Sequence, residues 1–460
     1  MFEQGPRNRR RLAGSLLACL ALVTVSACGE TDEAIFIVLN FEEASVPEKV
    51  DSICLGLWDT DPLGGQFGER YALASPAQAT LAVEPGLATT GHLLVQGYSF
   101  GKRVALAQQD FDFSGPDVEA SLAFCGPGLA EPATERASVA IAEGAAMAVS
   151  QGPEGAWILV ASAGESRVYS AGSAGLGQLA IDAPVSAGAV KSVLAVDADG
   201  DCDDDFIVLN EGGASLWRRD RRALVLDNAL LPSQPQTAIR SIALDFNGDL
   251  LADVALVGPD GLTLWQGASD GLKQVTSGVT SEELRNASAI AAGDLDGDGF
   301  VDLAIARQGL PDRLLYGDGT ARFTLSTASL AEDDRDSRAI AIGDLDADGI
   351  AEIVIASLGA PITAFARNGT REYVDRSFLL LPNADSQDAT GLAVADWNGD
   401  CEADVLIAAP QTLSWASGQA ALAEEASLPE AREILVDDLL GAGDRDALLL
   451  SATSLRWWRR

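Results

Sequence analysis

The stretch "GDLDGDGFVDLAIA", Gly293 to Ala306, places Asp294, Asp296, Asp298 and Asp302 at positions 1, 3, 5 and 9 of a short loop and then runs into apolar sequence. Four more copies follow the same plan: "DADGDCDDDFIVLN" from Asp197, "DFNGDLLADVALVG" from Asp245, "DLDADGIAEIVIAS" from Asp344 and "DWNGDCEADVLIAA" from Asp396. A worn copy, "DLLGAGDRDALLLS", starts at Asp438, and a version stripped of its acids lies at 138–162. First positions are 42 to 52 residues apart. A period of that length marks a chain built from copies of one supersecondary unit, each burying its faces against its neighbours.

Each unit reads as short strands. Runs such as "KSVLAV" and "RAIAIG" precede the loop, and "FIVLN", "LAIAR" and "EIVIAS" follow it, apolar without alternation and so expected to be buried on both faces. A third strand carries one aromatic per unit: Tyr169, Trp217, Trp265, Tyr316, Phe365, Trp415 and Trp457. One aromatic at constant phase is what packing between stacked units needs; a ring of ligand-stacking aromatics is the other reading. A weaker fourth segment, "ALVLD" or "ARFTLS", closes the unit. Four strands in about 50 residues fit a propeller blade. The expected fold is all-β: a seven-bladed β-propeller over 131–460, preceded by a small β-sandwich-like domain over 28–130. The last unit lacks a fourth strand of its own, and "VEASLAF" at Val118–Phe124 is the strand expected to complete the ring.

Carboxylates at alternate positions of a curling loop can converge on one point. Hard divalent cations take oxygen ligands, and calcium accepts six to eight of them at flexible angles. The chain's only histidine is His92, and no cysteine pair has zinc-ligand spacing. An EF-hand would need a glutamate at position 12, where these loops carry Val208, Leu256, Ile305, Ile355 and Ile407. An Asp/Gly turn without metal is the plain alternative, but it would crowd like charges together without relief.

The loops, their period and the strand that follows resemble the FG-GAP/VCBS repeat family, which includes the calcium-binding blades of integrin alpha-chain propellers; "DLDGDGFVDLAIA" with "LLYGDGTARFTL" is similar to the family pattern over a whole blade. The resemblance covers about 320 residues. It implies about five Ca2+ sites, with side-chain ligands at positions 1, 3, 5 and 9 and a main-chain oxygen at 7. Carried onto this chain, the first set is Asp197, Asp199, Asp201, Asp203 and Asp205, and the second Asp245, Asn247, Asp249, Leu251 and Asp253. The third is Asp294, Asp296, Asp298, Phe300 and Asp302, and the fourth Asp344, Asp346, Asp348, Ile350 and Glu352. The fifth is Asp396, Asn398, Asp400, Glu402 and Asp404. Two departures matter. Glu352 is a methylene longer than the usual Asp, and position 6, usually Gly, is Cys202, Leu250 or Cys401 in three loops. A Cβ there costs energy if the backbone needs positive φ. At Asp438 the ligand positions hold Leu440 and Ala442, and no ion is expected there or in the first unit.

Residues 1–27 read as a signal peptide: Arg7, Arg9, Arg10 and Arg11, an apolar stretch from Leu12 to Val25, then "VSAC". The last four residues resemble the bacterial lipobox, which implies cleavage before Cys28 and lipid on its thiol; an ordinary secretory signal is the alternative. Several acyl chains on one residue would anchor the protein stably to a membrane. Of the remaining cysteines, Cys54 and Cys125 are the expected pair, with Cys202 and Cys401 left over. Between residues 30 and 126, "AIFIVLNF", "SICLGLW", "ATLAVE", "HLLVQGYSF" and "RVALAQQDF" read as strands separated by turns, and His92 reads as structural.

A net charge of -37 repels nucleic acid and anionic lipid, and 47% hydrophobic residues are enough to build cores. The basic cluster "RRDRR", Arg218 to Arg222, reads as local pairing with Asp203 and Asp204, or else as an anionic-ligand patch. No nucleophile motif, phosphate loop or histidine-centred triad is present, so the chain is not expected to be an enzyme. The leading reading is a lipid-anchored, calcium-stabilised binding or adhesion module of the bacterial cell envelope, at the outer membrane or cell surface, with an extracellular protein or glycan as partner. A carbohydrate-active enzyme on the same scaffold and a purely structural envelope protein are the alternatives. Ligands are expected opposite the calcium loops, on connections such as "LPSQPQTA" and "AEDDRDS".

Overall fold

A computed structural model describes the strands between residues 35 and 122 and, apart from short segments, residues 134–459. Residues 1–34, with Cys28, lie outside the described residues, as do Cys125, Asp400, Cys401, Glu402, Asp438 and 440–445. Two compact units result: Met1–Ser99 with Arg103–Phe124, and a second formed mainly by Cys125–Arg460.

The first unit holds two sheets. One has the order Gln66–Ala72, Ser52–Asp59, Thr90–Ser99, Lys102–Asp112; the other runs Gln78–Val83, Ile35–Phe41, Asp117–Leu122. Its described core side chains, Ile53, Leu55, Leu93, Leu94 and Val95, are almost wholly buried.

The second unit is a seven-bladed β-propeller. Blades 1 to 6 are four-stranded antiparallel sheets in chain order, opening at Ala146–Ser150, Val190–Val196, Arg240–Leu244, Ala287–Gly293, Ser337–Gly343 and Gly391–Ala395. Blade 7 opens at Ala431–Asp437. These opening strands touch one another in succession, and the last returns to the first. Second strands such as Asp253–Gly258, Asp302–Arg307 and Glu352–Ser357 are buried along their whole length, as continuous apolar runs between two neighbouring blades must be. A separate apolar cluster fills each junction between blades. The repeated aromatics belong to these clusters. Trp265 packs between blades 2 and 3, Tyr316 with Phe365 between 4 and 5, and Tyr169 with Trp457 between 1 and 7. Their role is packing.

The closing strand differs from the one expected. Blade 7 takes its outer strand from Thr134–Ala140, antiparallel to Ser454–Arg459, with Val139 opposite Leu455 and Ser138 opposite Arg456. Arg456 Nη1 donates to Glu135 Oε2 at 3.2 Å across the pair. The expected strand at 118–124 is engaged elsewhere: Asp117–Leu122 runs parallel to Ile35–Phe41 in the N-terminal unit. Residues 138–140, expected to open blade 1, therefore end blade 7, and blade 1 begins at Ala146. Thr134–Ala140 is mostly exposed, the pattern of an outermost strand; an inner strand is buried, as Ala146–Ser150 is.

Candidate metal centre

All five acidic loops connect the first and second strands of blades 2 to 6, and position 9 is the first residue of each second strand. A curled backbone turns the carboxylates inward. The amides of Gly200, Gly248 and Gly297 at position 4 donate to Oδ1 of Asp197, Asp245 and Asp294 at 2.7 to 2.8 Å. At position 6 the amides of Leu250, Gly299 and Gly349 donate to Oδ2 of Asp245, Asp294 and Asp344 at 2.9 to 3.0 Å. At position 7 the amides of Asp203, Leu251, Phe300 and Ile350 donate to Asp201, Asp249, Asp298 and Asp348 at 2.8 to 3.0 Å.

This curl requires left-handed backbone at position 6. Gly299 and Gly349 have φ of 86° and 82°, and Cys202 and Leu250 adopt the same conformation at 68° and 70°. The cost expected of a Cβ at position 6 is therefore present in at least these two loops. Cys202 is disulfide-bonded, as is Cys54, while Cys125, the expected partner of Cys54, lies outside the described residues.

Among the described residues, carboxylate oxygens meet in three loops. Asp197, Asp199 and Asp201, then Asp294, Asp296 and Asp302, then Asp344, Asp346 and Asp348 each bring one oxygen within 4.8 Å of the others. In the second loop Asn247 Nδ2 donates to Asp249 Oδ2 at 3.1 Å beside Asp245. In the fifth, Asp396, Asn398 and Asp404 are described.

Position 9 also has a second job that the motif alone does not show. One of its oxygens accepts the amide of position 2 in the six copies that carry an acid there: Ala198 to Asp205, Phe246 to Asp253, Leu295 to Asp302, Leu345 to Glu352, Trp397 to Asp404 and Leu439 to Asp446, at 2.7 to 3.2 Å. The other oxygen accepts an amide from the third strand in blades 2 to 4, from Arg219, Gly267 and Gly317 at 2.6 to 2.8 Å. Gly267 and Gly317 admit no side chain, since a Cβ would lie 2.6 and 2.1 Å from the carbonyl oxygens of Ala252 and Val301. Those glycines, just after the blade aromatic in "LWQG" and "LLYG", are the sequence signal for this latch. The extra methylene of Glu352 is accommodated, for its Oε2 reaches the Leu345 amide at 2.8 Å.

Burial and crowding raise the carboxyl pKa values of the metal-free loops. Burial is the largest cause throughout, followed by neighbouring acids or opposed by amide donors. Asp253 is pushed up to about 8, Asp302 and Glu352 to about 7, and Asp201 to about 6 with Asp199 as second cause. Asp205 and Asp203 rise well above the usual carboxylate range, and Asp245 and Asp346 also rise. Such sites take up either protons or a cation. The donor set is all oxygen, several carboxylates converge, and the backbone is preformed, so the residues fit a hard divalent ion such as calcium.

The basic cluster beside the first loop is not an open patch. Arg218 pairs with Asp199 at 3.0 Å and with Asp227 at 3.6 Å. Arg219 is fully buried: its guanidinium lies 4.1 Å from the Trp157 ring centroid in blade 1 and donates to Ser150 Oγ and to the Gly155 carbonyl at 3.1 and 2.9 Å. Asp204, an expected arginine partner, accepts the Gln151 amide at 3.1 Å.

Among known proteins, residues 245–305 and 344–407 match the model of the FG-GAP-like repeat, and these two segments contain four of the five acidic loops. No curated protein matches the chain. Similar solved structures include BBS1N in complex with ARL6DN, at 10% identity and TM-score 0.49 over 71% of this chain and 96% of that one. They also include an Agrocybe aegerita lectin, described as specifically recognising non-reducing terminal N-acetylglucosamine, at 14% identity and TM-score 0.49 over 80% of this chain and 92% of that one.

Proposed function

Starting from a chain that is an FG-GAP-repeat β-propeller, we propose that it is a non-catalytic binding or adhesion module of the bacterial cell envelope, stabilised by calcium and held to a membrane by lipid on Cys28. The observation that carries the calcium part is the convergence of carboxylate oxygens within 4.8 Å in loops that recur at one place in successive blades. Calcium in these loops would neutralise charge that burial otherwise forces to take protons. Its residence at the start of the second strand, where position 9 also ties the loop to the blade, makes its contribution one of stability.

Recognition then falls to the opposite face, where the second strand turns into the third and the fourth leaves for the next blade. Leu358 in such a turn and Phe378 in such a connection are exposed there, Phe378 to 87%. An extracellular protein or a glycan is the class of partner; a net charge of -37 argues against nucleic acid. Among the described residues no helix is long and apolar enough to cross a membrane; Cys28 supplies the attachment in this reading.

The central test is thermal unfolding of metal-free protein with and without calcium. A rise of many degrees on adding calcium is expected, and an unchanged melt rejects the calcium part. Labelling with a fatty-acid analogue, abolished by Cys28→Ser, tests the anchor. A glycan array, compared with a variant altered at Glu332, Asp333, Asp334 and Asp336, tests the binding face; of these four only Asp336 lies among the described residues.

A further inference from the structure

We infer that Arg371 is a built-in counter-cation of the loop at 294–302 and holds that loop's affinity for a divalent ion below that of its neighbour at 344–352. The inference rests on the cation reading of the loops given above and deepens it.

The two loops make a controlled comparison. Each offers four carboxylates, Asp294, Asp296, Asp298 and Asp302 against Asp344, Asp346, Asp348 and Glu352. Their backbone frames match: Gly299 and Gly349 each donate to the first carboxylate at 3.0 Å, and Phe300 and Ile350 to the third at 3.0 and 2.8 Å. Two things differ: position 9, which is Asp302 against Glu352, and the cations beside the loop, for Arg367 Nη1 donates to the Leu295 carbonyl at 3.4 Å and Arg371 faces position 3. The side chain of Asp296 is 2% exposed, and Arg371 Nε donates to its Oδ2 at 2.6 Å, with Nη2 3.9 Å from Asp298 Oδ2. Arg371 comes from the outer turn of the next blade and is held there. Its guanidinium lies 4.5 Å from the Tyr316 ring centroid, and Tyr316 Oη donates to its carbonyl at 3.2 Å. Asp346 is exposed, and among the described residues its carboxylate lies with the acids Asp344 and Asp348, one oxygen of each within 4.8 Å of the others.

The remaining loops follow the first of these two patterns by different means. Asp199 is paired with Arg218 at 3.0 Å, and position 3 of the other two loops is the neutral Asn247 and Asn398. Four loops thus have the position-3 charge balanced or removed, and among the described residues 344–352 keeps it whole. Affinity of an oxygen site for calcium rises with the charge of its ligands. A guanidinium stays protonated at any working pH and repels a cation bound to the same carboxylate. The loop at 344–352 therefore fills first, and 294–302 fills later against Arg371.

Calcium binding to the full chain, followed by native mass spectrometry and isothermal titration against calcium alone, tests this. Arg371→Gln should tighten one of the weaker sites about ten-fold or more, and Asp294→Asn added to it should abolish that gain. Arg371→Lys, which keeps the charge, should leave the constants as in the parent chain. Independently, Asp346→Asn, on an exposed side chain, should remove the tightest binding class. Unchanged constants in Arg371→Gln, or a tightest class that survives Asp346→Asn, overturns the assignment while leaving calcium binding intact. A parent chain that takes up no calcium overturns both.

Discussion

The indole N–H of Trp457 donates to Asp446 Oδ1 at 2.7 Å, while the Leu439 amide donates to Oδ2 at 2.9 Å. Asp446 is fully buried and stands at position 9 of the copy whose ligand positions have become Leu440 and Ala442. The latch persists where the expected ligand set has gone, so latching by position 9 does not depend on a full acidic loop beside it. Asp446→Ala strands two buried donors and should cost roughly 2–5 kcal/mol, equally with calcium and without it. Asp302→Ala loses a comparable latch, to the Leu295 and Gly317 amides, plus the cation contact proposed for it, and its cost should be larger in calcium. Urea unfolding of both variants under the two conditions checks the difference; a calcium-dependent Asp446→Ala would contradict it.

The pH dependence of stability should differ with and without calcium. In the metal-free chain burial pushes Asp253 up to about 8 and Asp302 and Glu352 up to about 7, above their unfolded values. The folded state then binds more protons than the unfolded state between about pH 4 and 8. Stability from these groups is fully present below their unfolded pKa values and is lost as pH rises through the folded ones. Metal-free protein should melt at a higher temperature at pH 5 than at pH 8. Saturating calcium requires the ionised forms, so the trend should flatten or reverse, and protons should be released on binding. Melting curves across that range, with a pH-stat during calcium addition, decide it.

Leu250 carries φ of 70° where Gly299 and Gly349 occupy the equivalent position. Leu250→Gly should remove strain of about 1 kcal/mol, partly offset by the greater freedom of glycine in the unfolded chain. A variant that melts at a higher temperature than the parent supports the assignment; a lower melt shows that the Leu250 side chain contributes more than its backbone costs.

Arg219 reaches from blade 2 into blade 1, and Gly152 leaves room for it: a Cβ at Gly152 would lie 2.5 Å from the Arg219 Cζ. Gly152→Ala should therefore destabilise by about 1–3 kcal/mol through overpacking. In the Arg219→Met background the obstacle is a flexible apolar chain, and the added methyl should cost less. A double-mutant cycle in urea tests whether the two positions couple.

Ring closure depends on Thr134–Ala140. Ala137 lies opposite Trp457 in the last blade, so Ala137→Pro removes its amide N–H and distorts the outer strand. Lower stability of the whole propeller, with an open strand edge prone to self-association, is the expected result. Equilibrium unfolding and light scattering report the two effects. Pro at Val118, in the N-terminal unit, should leave the propeller transition in place.

Much of this architecture is legible in the order of residues. The period of the Asp loops counts the units, the unbroken apolar runs after them mark strands buried on both faces, and one aromatic per unit marks the junctions. Those signals are local and repeated, so noise in any one copy does not hide them. The position-6 strain is also legible, because Cys202 and Leu250 stand where sibling loops have Gly299 and Gly349, and backbone sterics are the same in every copy.

Other features exist only once the chain is folded. Which strand closes the ring is a pairing between residues 134–140 and 454–459, more than three hundred positions apart, and both 118–124 and 134–140 are credible strands by pattern. The two hydrogen bonds that Asp302 accepts, from the Leu295 amide on one side and the Gly317 amide on the other, need a third strand laid beside the loop. The partners of Arg219 and Arg371 lie in neighbouring blades, so the cluster at 218–222, read from sequence as local pairing with acids or else as an anionic-ligand patch, contains in Arg219 a buried tie between blades. Sequence determines the repeated unit because period, sterics and burial act within it. The tertiary structure decides what the units do to one another, because that depends on distances no spacing along the chain encodes.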